Sequence, residues 1–202
     1  MPSKNTVKFY NVDAYYHIYN RGVEKRKVFL DDEDYAVFLN LIKRSLNDKP
    51  ETDNKGREYD WLAKDVELIA FCLMPNHFHL LLYQIEMLGI TRLLRSVCST
   101  YTTYFNKKYD RVGPLFQGIF KAVHINNDAY IFHIARYIHR NPSRYMQWEW
   151  SSLSYWLDKK HAAWINPRRL NAMSPYQYVE YISDEIDYRA RIDAVSSLIG
   201  DI

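Results

Sequence analysis

The run VELIAFCLMPNHFHLLLY, residues 66–83, holds two apolar stretches of strand length, 66–73 and 77–83, separated by Met74-Pro75-Asn76. Proline and asparagine in so short a gap signal a tight turn, so the two stretches are expected to pair as an antiparallel hairpin. Side chains alternate between the faces of a strand, which puts His77, His79 and Leu81 on one face and Phe78, Leu80 and Leu82 on the other. Two imidazoles therefore stand side by side on an otherwise apolar strand.

Upstream, AYYHIYN at 14–20 is β-prone and runs into the turn-like Asn20-Arg21-Gly22, which gives a first strand. Asp31 can cap a helix whose first turn holds Asp32, Glu33 and Asp34, with Tyr35, Phe38, Leu39, Ile42 and Leu46 recurring at helical spacing. Residues 46–64, rich in polar and helix-breaking types, read as a long surface loop. Downstream, Ile90, Leu93, Leu94, Val97, Tyr101, Tyr104 and Phe105 mark one face of a long helix. KAVHI at 121–125 is a fourth strand, and a further helix runs from Asp128 until Pro142 ends it. The order β-α-β-β-α-β plus a helix predicts an α+β fold, a ferredoxin-like split βαβ with an antiparallel sheet. A tryptophan-rich stretch (Trp148, Trp150, Trp156, Trp164) and an acidic helical tail from Ser174 follow.

A hydrophobic fraction of 48% and a charged fraction of 25% suit a globular chain, and no apolar run is long enough to span a membrane. Without a secretory signal in the N-terminal residues, a cytoplasmic location is expected. Cys72 and Cys98 lie in apolar or helical contexts and read as reduced packing residues. The net charge is only +3, but residues 91–144 carry nine Lys and Arg against Asp110 and Asp128. Aromatics are interleaved with these bases, a combination that suits a phosphate backbone with unpaired bases, as well as a solvated helix face.

The His77/His79 pair suits a divalent metal or a structural role, since neutral imidazoles bind such ions well. On the helix from Asp128, Ile131, Ile134, Ala135 and Ile138 form the apolar stripe, while His133, Tyr137 and Asn141 lie four apart, flanked by Arg136 and Arg140. Cations there would favour the phenolate of Tyr137 and bind the oxygens of a phosphate, so the tyrosine is a candidate nucleophile or a packing residue.

Taken together, YHIYNRG (16–22), PNHFHLLL (75–82), YFNKKYDRVGPLFQGIFKA (104–122), RYIHRNPSR (136–144) and WSSLSYW (150–156) resemble the HUH single-tyrosine transposases, above all the REP-associated branch. The resemblance implies a transposase domain over residues 1–156, with the catalytic-tyrosine helix added to the core, and a helical C-terminal extension over 157–202. It implies that His77 and His79 bind metal, that Tyr137 is the nucleophile and that Asn141 is the third, polar ligand, where related sequences often carry glutamine. The implied ion is Mg²⁺ or Mn²⁺. The implied partner is single-stranded or hairpin DNA, held by Arg21, Arg92, Arg95, Lys107, Lys108, Arg111, Lys121, Arg136 and Arg140, with the protein a homodimer or a monomer and no membrane involved. The implied activity is cleavage and strand transfer through a covalent 5′-phosphotyrosine. Two other readings compete with it: a domesticated DNA-binding module without catalysis, and a zinc hydrolase using water in place of Tyr137.

Overall fold

The computed structural model describes residues 10–170 and 173–199; the start of the expected transposase domain and the last three residues of the expected extension lie outside these. The expected strands and helices form. In chain order they are β1 (Ala14–Arg21), α1 (Asp32–Leu46), β2 (Val66–Met74), β3 (His77–Gln84), α2 (Gly89–Lys108), β4 (Lys121–Ile125) and α3 (Asp128–Arg140). Asp31 caps α1 by accepting from the Asp34 amide at 3.1 Å, and Lys43 and Arg44 in its last turn complement the helix dipole. The sheet has the order β2-β3-β1-β4 with every pair antiparallel, which is the ferredoxin-like arrangement.

Alternation along the strands divides the apolar side chains between two layers. Ile18, Leu68, Phe71, Phe78, Leu80 and Leu82 pack with α1 and α2 in the larger core. The opposite face takes α3, whose stripe Ile131, Ile134, Ala135 and Ile138 covers Ile69, Ala70, Cys72 and Leu81. The register of β2 on β3 shifts between Leu68 and Ala70, so the extra residue Ile69 places two consecutive side chains under α3.

β2 would be an open edge, but the tryptophan-rich stretch closes it. Leu73 N donates to Trp150 O at 2.9 Å, Ser152 N to Phe71 O at 2.9 Å and Asn166 N to Leu68 O at 2.8 Å. The indoles of Trp148 and Trp156 donate to the carbonyls of Leu73 and Ile69. Leu153–Trp156 forms a short helix, α4, and Trp164 and Ile165 reach into the larger core. The helical tail from Ser174 consists, over the described residues, of α5 (Pro175–Ser183) and α6 (Glu185–Ile199). A capping box between Ser174 and Gln177 starts the first, and Asp184 accepts from the Asp187 amide at the start of the second.

Candidate active site

The face of the sheet beneath α3 carries a cluster of imidazoles. His77 and His79 project from β3, their rings 5.0 Å apart and perpendicular. Asn141, just beyond α3, lies against both: its Oδ1 is 3.0 Å from His77 Nε2 and its Nδ2 is 3.3 Å from His79 Nε2. Tyr137, one turn earlier, stands edge-on to His79 with centroids 5.4 Å apart and an interplanar angle of 89°. Residues 64 positions apart in the chain thus meet because the stripe of α3 docks on the sheet and leaves the end of the helix over the start of β3.

Each imidazole is held from behind. The far nitrogen of His77, Nδ1, is 2.6 Å from Asn76 Oδ1, while the other end of that amide donates to Lys25 O at 3.3 Å. An amide oxygen only accepts, so in the tautomer in which His77 donates from Nδ1 to Asn76 its Nε2 is a bare lone pair. The far nitrogen of His79 is 2.9 Å from Nε2 of His17, whose ring stacks on it at 5.0 Å. His17 comes from the middle of β1, is fully buried, and its own Nδ1 has no partner among the described residues. The sequence reading missed His17 as a site residue. The available signal was alternation, which puts His17 on one face of the strand with Tyr15 and Tyr19.

The site keeps these rings neutral. Burial pushes His77 down to about 4, opposed by the Asn141 bond and assisted by the nearby Arg21 cation. Burial also pushes His17 down to about 3, and it holds His79 well below the usual histidine range, with His17 and His77 adding to the effect. When His79 donates to His17, both Nε2 atoms are lone pairs. The Asn141 oxygen then faces one of them whichever way the amide is turned, a contact between acceptors that a shared cation would relieve. Among the described residues no three His, Cys, Asp or Glu side chains are grouped so as to hold a metal ion, so a third protein donor here would be the amide. Two imidazoles and one amide oxygen fit a divalent ion that keeps other positions open.

The predicted basic residues divide into two groups. Arg21 pairs across the sheet with His77, and its buried Nε lacks a partner among the described residues. Lys121 lies 5.6 Å from the ring centre of Tyr19, the residue opposite His79. Arg95 and Lys107 are exposed on α2. The others are committed elsewhere. Lys108 Nζ is ringed by Asp31, Glu33 and Asp34 at 2.8 to 3.0 Å. Arg92 pairs with Asp65 at 2.8 Å, and Arg111 braces its own loop through Asn106 and the Pro114 carbonyl.

Arg136 and Arg140 correct the expectation most sharply. They share the outer face of α3, which α5 and α6 cover, rather than the face toward the sheet. Arg136 is 1% exposed, bonded to Asp187 at 2.7 Å and to Tyr181 O at 3.0 Å. Arg140 pairs with Glu185 and lies 4.0 Å over the ring of Tyr188. His133 likewise turns to Tyr181, because a spacing of four overshoots a helical turn by about 40° and drifts across the face.

The family model described as transposase IS200 like matches residues 60–141, the interval from the end of the long loop to Asn141. Residues 60–141 therefore resemble an IS200-like transposase domain. This interval contains His77, His79, Tyr137 and Asn141, while His17 and Arg21 precede it. Among solved structures the chain is similar to a REP-associated tyrosine transposase bound to a REP hairpin, at 16% identity over 81% of this chain and 92% of that one, with a TM-score of 0.57. That likeness is one of fold. A Deinococcus radiodurans R1 protein described as a transposase (13% identity, 65% and 90% coverage, TM-score 0.38) falls below the level that carries an argument. So does a bacterial tRNA(His) guanylyltransferase-like protein in complex with ATP (9%, 91% and 75%, 0.42). Among curated proteins no sequence matches the chain. Within the described residues no helix is long and apolar enough to cross a membrane.

Proposed function

We propose that the chain is a metal-dependent endonuclease and strand transferase acting on single-stranded DNA flanked by hairpins, with Tyr137 as nucleophile. The observation that carries this reading is the meeting of His77, His79 and Asn141 within 3.0 and 3.3 Å, with the Tyr137 ring 5.4 Å from that of His79. Three neutral donors beside one phenol suit an in-line attack on a phosphodiester. The Tyr137 oxygen bonds to phosphorus, the bond from phosphorus to the 3′ oxygen breaks, and the phenol gives up its proton as the 3′ oxygen gains one. The products are a 5′-phosphotyrosine and a free 3′ hydroxyl, and attack by another 3′ hydroxyl reverses the linkage. Mg²⁺ or Mn²⁺ held by His77, His79 and Asn141 would polarise the scissile phosphate and neutralise charge in the transition state.

A hairpin ligand is supported by the fold relative that binds one. Arg21 and Lys121 border the cluster and would meet the flanking phosphates. The test is incubation with labelled hairpin-flanked single-stranded DNA and Mn²⁺, followed by denaturing electrophoresis. A covalent band is expected from the wild-type protein and none from Tyr137→Phe, which loses only the nucleophilic oxygen. A band of normal intensity from the phenylalanine variant would place the nucleophile elsewhere.

A further inference from the structure

The sequence RGVEKRK, residues 21–27, lies outside both the matched interval and the basic stretch at 91–144. It holds four basic side chains and one acid. It leaves the end of β1 at Arg21, opposite His77, and folds back on itself at Gly22, where an added Cβ would sit 2.3 Å from the Arg26 carbonyl oxygen. Glu24 and Lys25 both have positive φ, 54° and 60°, an uncommon backbone for two consecutive side-chain-bearing residues. Such strain persists only where the surroundings hold it, and it concentrates at functional segments.

The surroundings here are the turn that precedes His77. Gly22 N donates to Asn76 O at 2.8 Å, and Val28 N and Phe29 N donate to Pro75 O at 2.7 and 3.1 Å. Asn76 completes the link, receiving the His77 Nδ1 proton with one end of its amide and donating to Lys25 O with the other. The loop is therefore held rigidly against the backbone that carries a proposed metal ligand.

Its charges are not spent internally. Lys25 and Lys27 are exposed and make no ion pair among the described residues. Among the described residues Arg26 makes one ion pair, with Glu24 at 3.9 Å. Arg21 Nε and Arg26 Nε are buried donors without an acceptor among the described residues, an arrangement that costs free energy unless an anion supplies the oxygens. Lys108, by contrast, is satisfied by carboxylates of the chain, and Arg136 is ion-paired with Asp187 even though its own Nε, like those of Arg21 and Arg26, has no partner among the described residues.

We propose that residues 21–27 form a preorganised clasp for the phosphates of the single DNA strand adjacent to the bond cleaved at Tyr137, with Arg21 and Arg26 as inner donors and Lys25 and Lys27 as outer ones. The clasp rests on the function proposed above. It relocates the main electrostatic contact from the α2 helix, which sequence charge favoured, to the β1–α1 loop.

The experiment measures the affinity of the full chain for hairpin-flanked single-stranded DNA as a function of salt, beside the covalent-adduct assay. Lys25→Gln together with Lys27→Gln should flatten the slope of log affinity against log salt by about 1.4, at roughly 0.7 for each phosphate of a single strand that is no longer neutralised. Lys159→Gln with Lys160→Gln, on the exposed segment after α4, should leave the slope unchanged. Binding of Mn²⁺ to the DNA-free protein should be the same in all three. A wild-type slope in the Lys25/Lys27 variant, with DNA binding and adduct formation intact in the wild type, overturns the clasp alone. Absence of adduct from a wild-type protein that still binds DNA, with a flattened slope in the variant, overturns the tyrosine chemistry and keeps the clasp. A wild-type protein that binds no DNA overturns both.

Discussion

Replacing His17 by phenylalanine tests whether the buried pair on β1 and β3 sets the proposed metal site. The ring that stacks on His79 at 5.0 Å would be kept, while the 2.9 Å bond between His17 Nε2 and His79 Nδ1 would be lost. The proton on His79 Nδ1 would then be buried without an acceptor, at a cost of about 1–3 kcal/mol. His79 avoids that cost by moving the proton to Nε2, where it points at Asn141 and blocks the metal-facing lone pair. The metal-competent tautomer becomes rarer by about 5- to 150-fold, so affinity for Mn²⁺ should fall within that range, as expected on losing a partner that orients a metal ligand. Stability should change little, because the same substitution removes the unpartnered His17 Nδ1. The assay is a titration of DNA-free protein with Mn²⁺, followed by the resonance signal of the free ion, beside a thermal melt. His17→Gln, whose amide oxygen can accept the proton, should recover part of the affinity. A phenylalanine variant that melts normally and binds Mn²⁺ like the wild type would refute the reasoning.

Asn141→Ala should raise the Mn²⁺ concentration for half-maximal cleavage at least about tenfold, whereas Asn141→Asp keeps or tightens binding; normal metal dependence in the alanine variant would remove Asn141 from the ligand set. Lys108→Met should lower the melting temperature and leave the salt dependence of DNA binding as it was, since Lys108 neutralises Asp31, Glu33 and Asp34, and a flattened slope would return it to the DNA surface. Stability in chelator should fall as the pH drops below about 6.5, because the unfolded chain then takes up protons that the folded one refuses at His17 and His139, both held down to about 3 by burial. The slope contributed is about 1.4 kcal/mol per pH unit for each histidine, and urea melts of equal midpoint at pH 7 and pH 5 would contradict it.

Local periodicity was enough for most of the fold. The hairpin at 66–83, the capped α1, the apolar stripe of α3 and the face shared by His77 and His79 all follow from spacings of two or of three to four residues, which the backbone geometry dictates wherever the chain goes. Motif order also singled out Tyr137 and Asn141, both of which fall inside the interval that the IS200-like model matches. Partners across the fold were not legible. That the sheet runs β2-β3-β1-β4, that His17 backs His79, and that the tryptophan-rich stretch seals β2 depend on which elements dock, and docking is decided by the combined burial of residues far apart in the chain. Charge misled for the same reason. A cation in a sequence window looks available, but α5 and α6 bring Asp187 and Glu185 onto Arg136 and Arg140, and the start of α1 brings three carboxylates onto Lys108, while Lys25 and Lys27 in the short run beside His77 make no ion pair among the described residues. Coulomb energy depends on distance in space, so composition counted the charges and only the tertiary structure decided which remain to meet a phosphate.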